Sequence, residues 1–186
     1  MPDRSDPDLV AHAQGGDVDA IGTLYDRHHE SIFRYVWSRV GERRLAEDLT
    51  GDVFMRMLTA LPGYQSLGLP FRAWLYRIAH NRLVDHFRSN GRRVWLPLEA
   101  VEGLTGEGDP APAIERKILV ERVGRALSQL DENQREVVIL RFITGLSLQE
   151  TALAMGRSEA AIKSLQHRSL AALRRALAQE PEQVIS

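Results

Sequence analysis

The chain has 186 residues, 44% of them hydrophobic, no cysteine and a formal net charge of -1. That length admits one ordinary domain or two small ones, and the apolar share suffices for a buried core, so wholesale disorder is excluded. Lack of cysteine excludes a disulfide framework and thiolate zinc sites and fits a reducing cytoplasm, while the polar start "MPDRSDPDLVAHAQGGD" is unlike a signal peptide and no apolar run reaches the length of a membrane span.

Helical spacing of apolar residues recurs almost throughout, and strand signals are nearly absent, so the expected fold class is all-α. Asp17 can cap a first helix that carries Ala20, Leu24, Ile32, Phe33, Val36 and Trp37. A second helix fits "LAEDLTGDVFMRMLTAL", with Leu45, Leu49, Phe54, Leu58 and Leu61 near one face, and Pro62 and Gly63 end it. The loop "PGYQSLGLP" follows, and then "FRAWLYRIAHNRLVDHFRSNGRR" supplies the next helix until Asn90 and Gly91 stop it. From 94 to about 112 the chain is rich in glycine, proline and glutamate, which reads as a tether, although the short apolar piece 94–98 can dock on something. Helices resume over 114–127. Asp131 and Gln134 start a second one, which ends at Thr144 and Gly145, and Ser147 and Glu150 form a capping box for a short third. Gly156 breaks that one, and Ser158 caps a last helix to about residue 178. The layout is two helical domains, 1–93 and 114–186, joined by an acidic linker, 94–113.

Charge follows this division. Residues 1–70 hold eleven acids and seven bases, whereas 71–93 hold six arginines against one aspartate. Residues 94–114 hold four acids and no base, 115–156 balance, and 157–186 hold five bases and three acids. A polyanion would therefore meet two separate basic patches in an acidic or neutral background.

The second patch lies in "LSLQETALAMGRSEAAIKSLQHRSLAALRRAL", which has the layout of a helix-turn-helix: a short capped helix with Leu148, Ala152 and Leu153, a turn at Gly156, and a longer helix. On that helix Ile162, Leu165, Leu170, Leu173 and Leu177 can face a core. Ala160, Lys163, Ser164 and His167 fall opposite, near the helix start, where a recognition helix reaches base edges. Arg157 and Arg168 can hold phosphates, which position without specifying. A plain helical hairpin with a solvated basic face gives a similar pattern, but the capping box, the glycine turn and the clustered bases together favour DNA binding.

In the first patch, Arg77, Asn81, Asp85 and Arg88 share one helical stripe, with Trp74 a turn earlier. Arginines can hold phosphates, Asn81 can bond a base edge, and Trp74 and Tyr76 offer flat faces for an unpaired base. Phe71, Leu75, Ile78 and Ala79 supply the core side. Trp74 can equally be a partly buried anchor. Asp85 is better suited to orienting an arginine than to cradling a phosphate.

The stretches "GDVDAIGTLYDRH", "AEDLTGDVF", "FRAWLYRIAHNRLVDHFR" with "GRR", and "LSQLDENQREVVILRFITGLSLQETALAMGRSEAAIKS" resemble, in order, the parts of a bacterial sigma factor of the extracytoplasmic-function (ECF) group. The resemblance implies a region 2 helical bundle and a region 4 helix-turn-helix. It implies that the protein binds core RNA polymerase and directs transcription initiation at promoter DNA, with no cofactor. By matching position, Glu47, Asp48, Leu49, Asp52, Val53 and Phe54 fall on the polymerase-binding helix; Leu49 and Phe54 can equally be core, and the acids are the expected contacts. Arg77, Asn81 and Asp85, with Tyr64, Trp74 and Arg88, fall on the part that opens and reads the -10 element, whose flipped base enters a pocket formed by the loop 62–71. The last helix reads the -35 element through Arg157, Ala160, Lys163, Ser164, His167 and Arg168. The acidic linker would thread the polymerase channels, where its charge resembles that of the transcript. An anti-sigma factor is a further partner that the resemblance allows, clamping the polymerase-binding faces. The implied location is cytoplasmic, and the chain's end soon after region 4 is expected to leave no added C-terminal regulatory domain.

Three positions depart from the family pattern. Gly51 stands where glutamine is usual, Leu165 where arginine is common, and Asp85 where a neutral polar residue can occur.

No enzymatic constellation is expected. Glu47 and Asp48 are adjacent, so on a helix their side chains diverge by about 100°; His28 and His29 diverge likewise, and no Cys/His cluster or glycine-rich phosphate loop is present. Two rivals remain open: an ordinary helix-turn-helix regulator, which needs neither the 71–93 segment nor the acidic linker, and a sigma mimic, which could dispense with the DNA-facing arginines.

Overall fold

The structure is a computed structural model that describes residues 4–91 and 113–179. Among these residues every regular element is helical. The tether expected at 94–113 lies outside the described residues except for its last one, as does the apolar piece 94–98.

Helix α1, Asp6–Gln14, was not anticipated. Ser5 caps it, Pro7 sits in its first turn, and Leu9, Val10 and Ala13 are its only buried side chains, too few to announce a helix by periodicity. It is pinned by α2, Val18–Val40, where Arg27 and His28 grip the two oxygens of Asp6 at 2.7 and 2.8 Å. Burial holds the His28 imidazole below its usual value, and the Asp6 carboxylate opposes this only in part. Asp17 caps α2 as expected, accepting from the Asp19 and Ala20 amides at 3.0 and 3.2 Å. Gly41 ends it at φ 76°, a left-handed conformation that a side chain would strain.

Helix α3, Arg43–Ala60, packs on α2 through Ala46, Leu49, Val53, Phe54 and Met57. Leu58, expected on that face, is 37% exposed, because a step of about 100° from Met57 carries it off the buried stripe. A single 3₁₀ turn, Leu61–Gly63, closes α3, and Gln14 steadies the following loop by donating to the carbonyls of Leu61 and Tyr64 at 3.0 and 2.8 Å.

Helix α4, Phe71–Asn90, buries Phe71, Ala73, Leu75, Tyr76, Ala79 and Leu83. Tyr76 is only 3% exposed and packs edge-on to Tyr35, so it is a core residue and not the stacking surface expected of it. Ile78 is half-buried. Gly91 ends the helix at φ 65°, where the sequence placed the stop.

The second half begins with α5, Ala113–Ser128. Helix α6, Glu132–Val138, opens with a complete capping box between Asp131 and Gln134. It widens into a π-helical turn over Ile139–Ile143, where the Thr144 amide reaches back five residues to Ile139. Helix α7, Leu148–Met155, carries the Ser147–Glu150 capping box, and Gly156 turns the chain at φ 63° into α8, Glu159–Gln179. The Ser158 hydroxyl accepts from the Ala161 amide at 3.2 Å at the start of α8.

The halves pack together, α4 lying along α7. The seam is partly ionic. Glu136 of α6, 1% exposed, sits among Tyr35 and Arg39 of α2 and His80 of α4. Its carboxylate lies 2.7 Å from Arg39 Nε and 3.0 Å from His80 Nδ1, and it accepts a hydrogen bond from the Tyr35 hydroxyl. Burial alone would raise its pKa, but Arg39, His80 and Tyr35 outweigh burial and hold it at about 2. Nearby, Arg72 of α4 grips both oxygens of Glu150 at 2.7 and 3.0 Å.

Candidate nucleic-acid interface

The outward stripe of α4 forms as its spacing requires. Arg77, Asn81, Asp85 and Arg88 are all exposed. Asp85 pairs with Arg56 of α3 at 3.1 Å, so it orients an arginine, one that sequence reasoning had not picked out. Arg82 is likewise drawn inward, to Asp52 of α3 at 2.8 Å, and Arg72 is committed to Glu150. Of the arginines of this helix, Arg77 and Arg88 are therefore the two with no carboxylate partner among the described residues.

Beside the stripe lies a cleft of about 330 Å³. Its walls are the loop after α3 (Gly63, Tyr64, Leu67, Leu69), the α4 side chains Trp74 and Arg77, and Leu153 of α7. Tyr64 and Trp74 are half-buried with ring centroids 4.4 Å apart, and both lean on buried Phe71 at 5.5 Å. Trp74 is thus both things the sequence left open: anchored on one side by Phe71, and presenting its other side to a cavity. Burial also raises the pKa of the Tyr64 phenol, so it stays a neutral hydrogen-bonding group. A planar apolar wall with a cation at its rim suits an unstacked nucleobase followed by a phosphate.

The second face is the start of α8. Arg157, Ala160, Lys163, Ser164, His167 and Arg168 are all exposed there, while Ile162, Leu165 and Ser169 are buried on the other side. The helix turns its polar edge outward as a recognition helix does. Leu165 is 5% exposed and belongs to the packing, and its neighbour Gln166 accepts from Arg141 at 2.7 Å. The departure at 165 therefore adds core contact, in a position that does not face outward. Arg157 is held by Asn133 at 3.0 Å.

The residues expected to meet polymerase divide in two. Glu47, Asp48 and Asp52 are exposed on α3, whereas Leu49, Val53 and Phe54 are 2%, 0% and 4% exposed and build the bundle core. Apolar residues also lie on the outer surface of the same bundle: Met55 is 63% exposed and Tyr25 40%, neither singled out from the sequence, and Leu58, expected on the core face, is 37% exposed. Arg43 lies over the rings of Phe33 and Trp37 at 5.4 Å while pairing with Glu47 at 3.1 Å. The signal available for Met55 was an apolar residue one step of about 100° beyond Phe54, off the stripe of Leu49, Val53 and Met57. Gly51 lies exposed in the middle of α3, with open space beside it, so its lack of a side chain answers no packing need.

No helix among the described residues is long and apolar enough to cross a membrane, and none of their acidic and histidine side chains form a group of three that could hold a metal ion.

Comparison with known proteins bears on both faces. The family described as Sigma-70 region 2 matches residues 24–93, and Sigma-70, region 4 matches residues 126–175. The chain is 39% identical over 171 residues to the ECF RNA polymerase sigma factor BldN of Streptomyces coelicolor, covering 91% of this chain and 65% of that protein. It is 36% identical to the ECF RNA polymerase sigma factor SigD of Mycobacterium tuberculosis, covering 89% of this chain and 81% of that one. Among solved structures, CnrH in complex with the cytosolic domain of CnrY matches with a TM-score of 0.69 and 27% identity, over 96% of this chain and 100% of that one. The sigma factor RpoE of Bartonella quintana, solved with the anti-sigma factor NepR, shares the fold, with a TM-score of 0.64 and 24% identity over 86% of this chain and 98% of that one.

Proposed function

Because the chain belongs to the ECF RNA polymerase sigma factor family, we propose that it binds core RNA polymerase and directs promoter-specific transcription initiation. In this reading residues 1–93 form the region 2 domain, 94–113 the linker and 114–186 the region 4 domain. The exposed acids Glu47, Asp48 and Asp52 meet polymerase, with Tyr25, Met55 and Leu58 adding apolar contact. The α4 stripe and the aromatic cleft take the opened -10 strand: Arg77 and Arg88 hold phosphates, Asn81 bonds a base edge, and Trp74 with Tyr64 stacks a flipped base. The start of α8 takes the -35 element as duplex, through Lys163, Ser164 and His167 at base edges and Arg157 and Arg168 at phosphates. The protein is not itself a catalyst; polymerase does the chemistry. It works where polymerase works, in the cytoplasm. An anti-sigma factor that covers these faces is a further partner of this reading.

The observation that carries it is the cleft. A regulator that binds only duplex operator DNA has no use for an aromatic wall beside an Arg–Asn stripe on a second domain. Permanganate probing of promoter DNA bound to core polymerase and this protein tests it. Unpaired thymines should appear in the -10 region with the native chain and fade with Trp74→Ala. Promoter binding with no unpaired thymine would overturn it.

A further inference from the structure

Arg56 and Asp85 tie α3 to α4 at 3.1 Å, with 47% and 51% of the two side chains exposed. A second tie between the same helices, Arg82 to Asp52 at 2.8 Å, differs in that Arg82 is only 20% exposed. An ion pair as open to water as the first adds little to stability, because solvent screens the charges and holding two long side chains costs entropy. The fold therefore gives little reason for an aspartate in a stripe whose other charges, Arg77 and Arg88, are cationic.

Position gives a reason. Arg56 and Ala60 are four residues apart on α3, so they share a face, and Ala60 lines the aromatic cleft. Asp85, Asn81 and Arg77 are spaced by four on α4, and Arg77 lines the same cleft. Two rows of side chains, one from each helix, lead from the ion pair to the cleft. The pair also leaves bonding capacity unused. Arg56 donates through Nη1 to Asp85 Oδ2, while Asp85 Oδ1 and the Nε and Nη2 of Arg56 have no partner among the described residues. A free carboxylate oxygen only accepts, which suits the amino group of a base, and free guanidinium donors suit a phosphate.

We propose that Arg56, although it stands on α3, belongs to the DNA face: Arg56 and Asp85 act as one reading unit, whose guanidinium holds a phosphate of the -10 strand while the free Asp85 oxygen accepts from the amino group of a base and so disfavours thymine, the base that has none. The proposal rests on the reading of α4 given above. Each member needs the other. Without Arg56 the carboxylate is an uncompensated anion beside phosphates, and without Asp85 nothing aims the guanidinium.

The test is binding of the full chain, in complex with sigma-free bacterial core polymerase, to fluorescent single-stranded -10 oligonucleotides that carry each of the four bases at each position. Arg56→Ala should weaken binding about tenfold. It should also reduce the slope of log affinity against log salt by about 0.7, the share of one phosphate on a single strand. Adding Asp85→Asn to Arg56→Ala should recover part of the loss, since it removes the stranded anion; losses that merely add would mean that the two side chains act separately. Asp85→Asn alone should raise the relative binding of thymine at one position about fivefold, because an amide donates as well as accepts. The charge-reversed pair, Arg56→Asp with Asp85→Arg, keeps a bridge between the helices and should still lose the preference, which a purely structural role would not predict. Unchanged base preference in Asp85→Asn would overturn the proposal. So would an Arg56→Ala chain whose affinity for core polymerase without DNA falls as far as its affinity for the oligonucleotide, since Arg56 would then be a polymerase contact. A native complex that binds no -10 strand at any sequence would contradict the sigma reading itself, and the proposal with it.

Discussion

Glu136 and Arg39 meet at 2.7 Å in the seam between the two halves, with 1% and 2% of their side chains exposed. Each is a charge that neither half could bury alone. The pair adds a buried charge contact to the apolar packing that joins the halves, and links a single carboxylate to how the two proposed DNA-facing surfaces sit relative to one another.

Acid should loosen that relation. The Glu136 carboxyl titrates at about 2 in the folded chain, against 4.5 ordinarily. A depressed folded value means that its contribution is complete above the ordinary value and is lost as pH falls through the folded one. Small-angle scattering between pH 5 and pH 2 should show the native chain expanding below about pH 4.5, and Glu136→Gln should already be expanded at pH 7. A pH-independent dimension in both would contradict this.

Trp74→Ala should remove a stacking surface. The expected loss is about 1–3 kcal/mol of opened-strand binding, or roughly five- to 150-fold in affinity. Trp74→Phe should recover part of it, since a smaller ring can still lean on Phe71. Binding of a fluorescent single-stranded -10 oligonucleotide to the polymerase complex reads both.

Charge on α8 is expected to act differently. Arg168→Ala should weaken promoter binding almost uniformly across sequences and reduce the salt dependence by about one counterion, the mark of a lost phosphate contact. Lys163→Ala should instead relax preference at one -35 position if it reaches a base edge. Affinity measured at several salt concentrations on matched and mutated -35 sites separates the two.

The caps are predicted to be worth their usual amounts. Ser147→Ala removes the hydroxyl that accepts from the Glu150 amide and should cost about 1 kcal/mol in thermal or denaturant unfolding. Gly156→Ala forces a side chain into φ 63° and should cost about 1–2 kcal/mol.

What the sequence disclosed was local. Asp17, Asp131, Ser147 and Gly156 act within a few residues of themselves, and each proved to be the cap or stop that its type suggests. The exposure of the α8 start was likewise readable from a period of 3.6 residues. Three things were not. Helix α1 has too few apolar residues to show a period, and is held by Asp6 contacts some twenty residues away. Tyr76 looked like a stacking surface because its burial depends on Tyr35 in another helix. Glu136 drew no attention in the sequence, since its partner Tyr35 lies 101 residues earlier. The helical pattern of a chain fixes which face of each helix is apolar, but not which distant helix will cover a polar residue.

The most direct test of the central claim is transcription from purified parts. Sigma-free bacterial core polymerase would be mixed with this protein on a library of genomic fragments and the transcript starts sequenced. Protein-dependent starts that share two upstream motifs are expected, and Asn81→Ala should abolish them. No protein-dependent start, from a chain that still binds duplex DNA by itself, would contradict that claim.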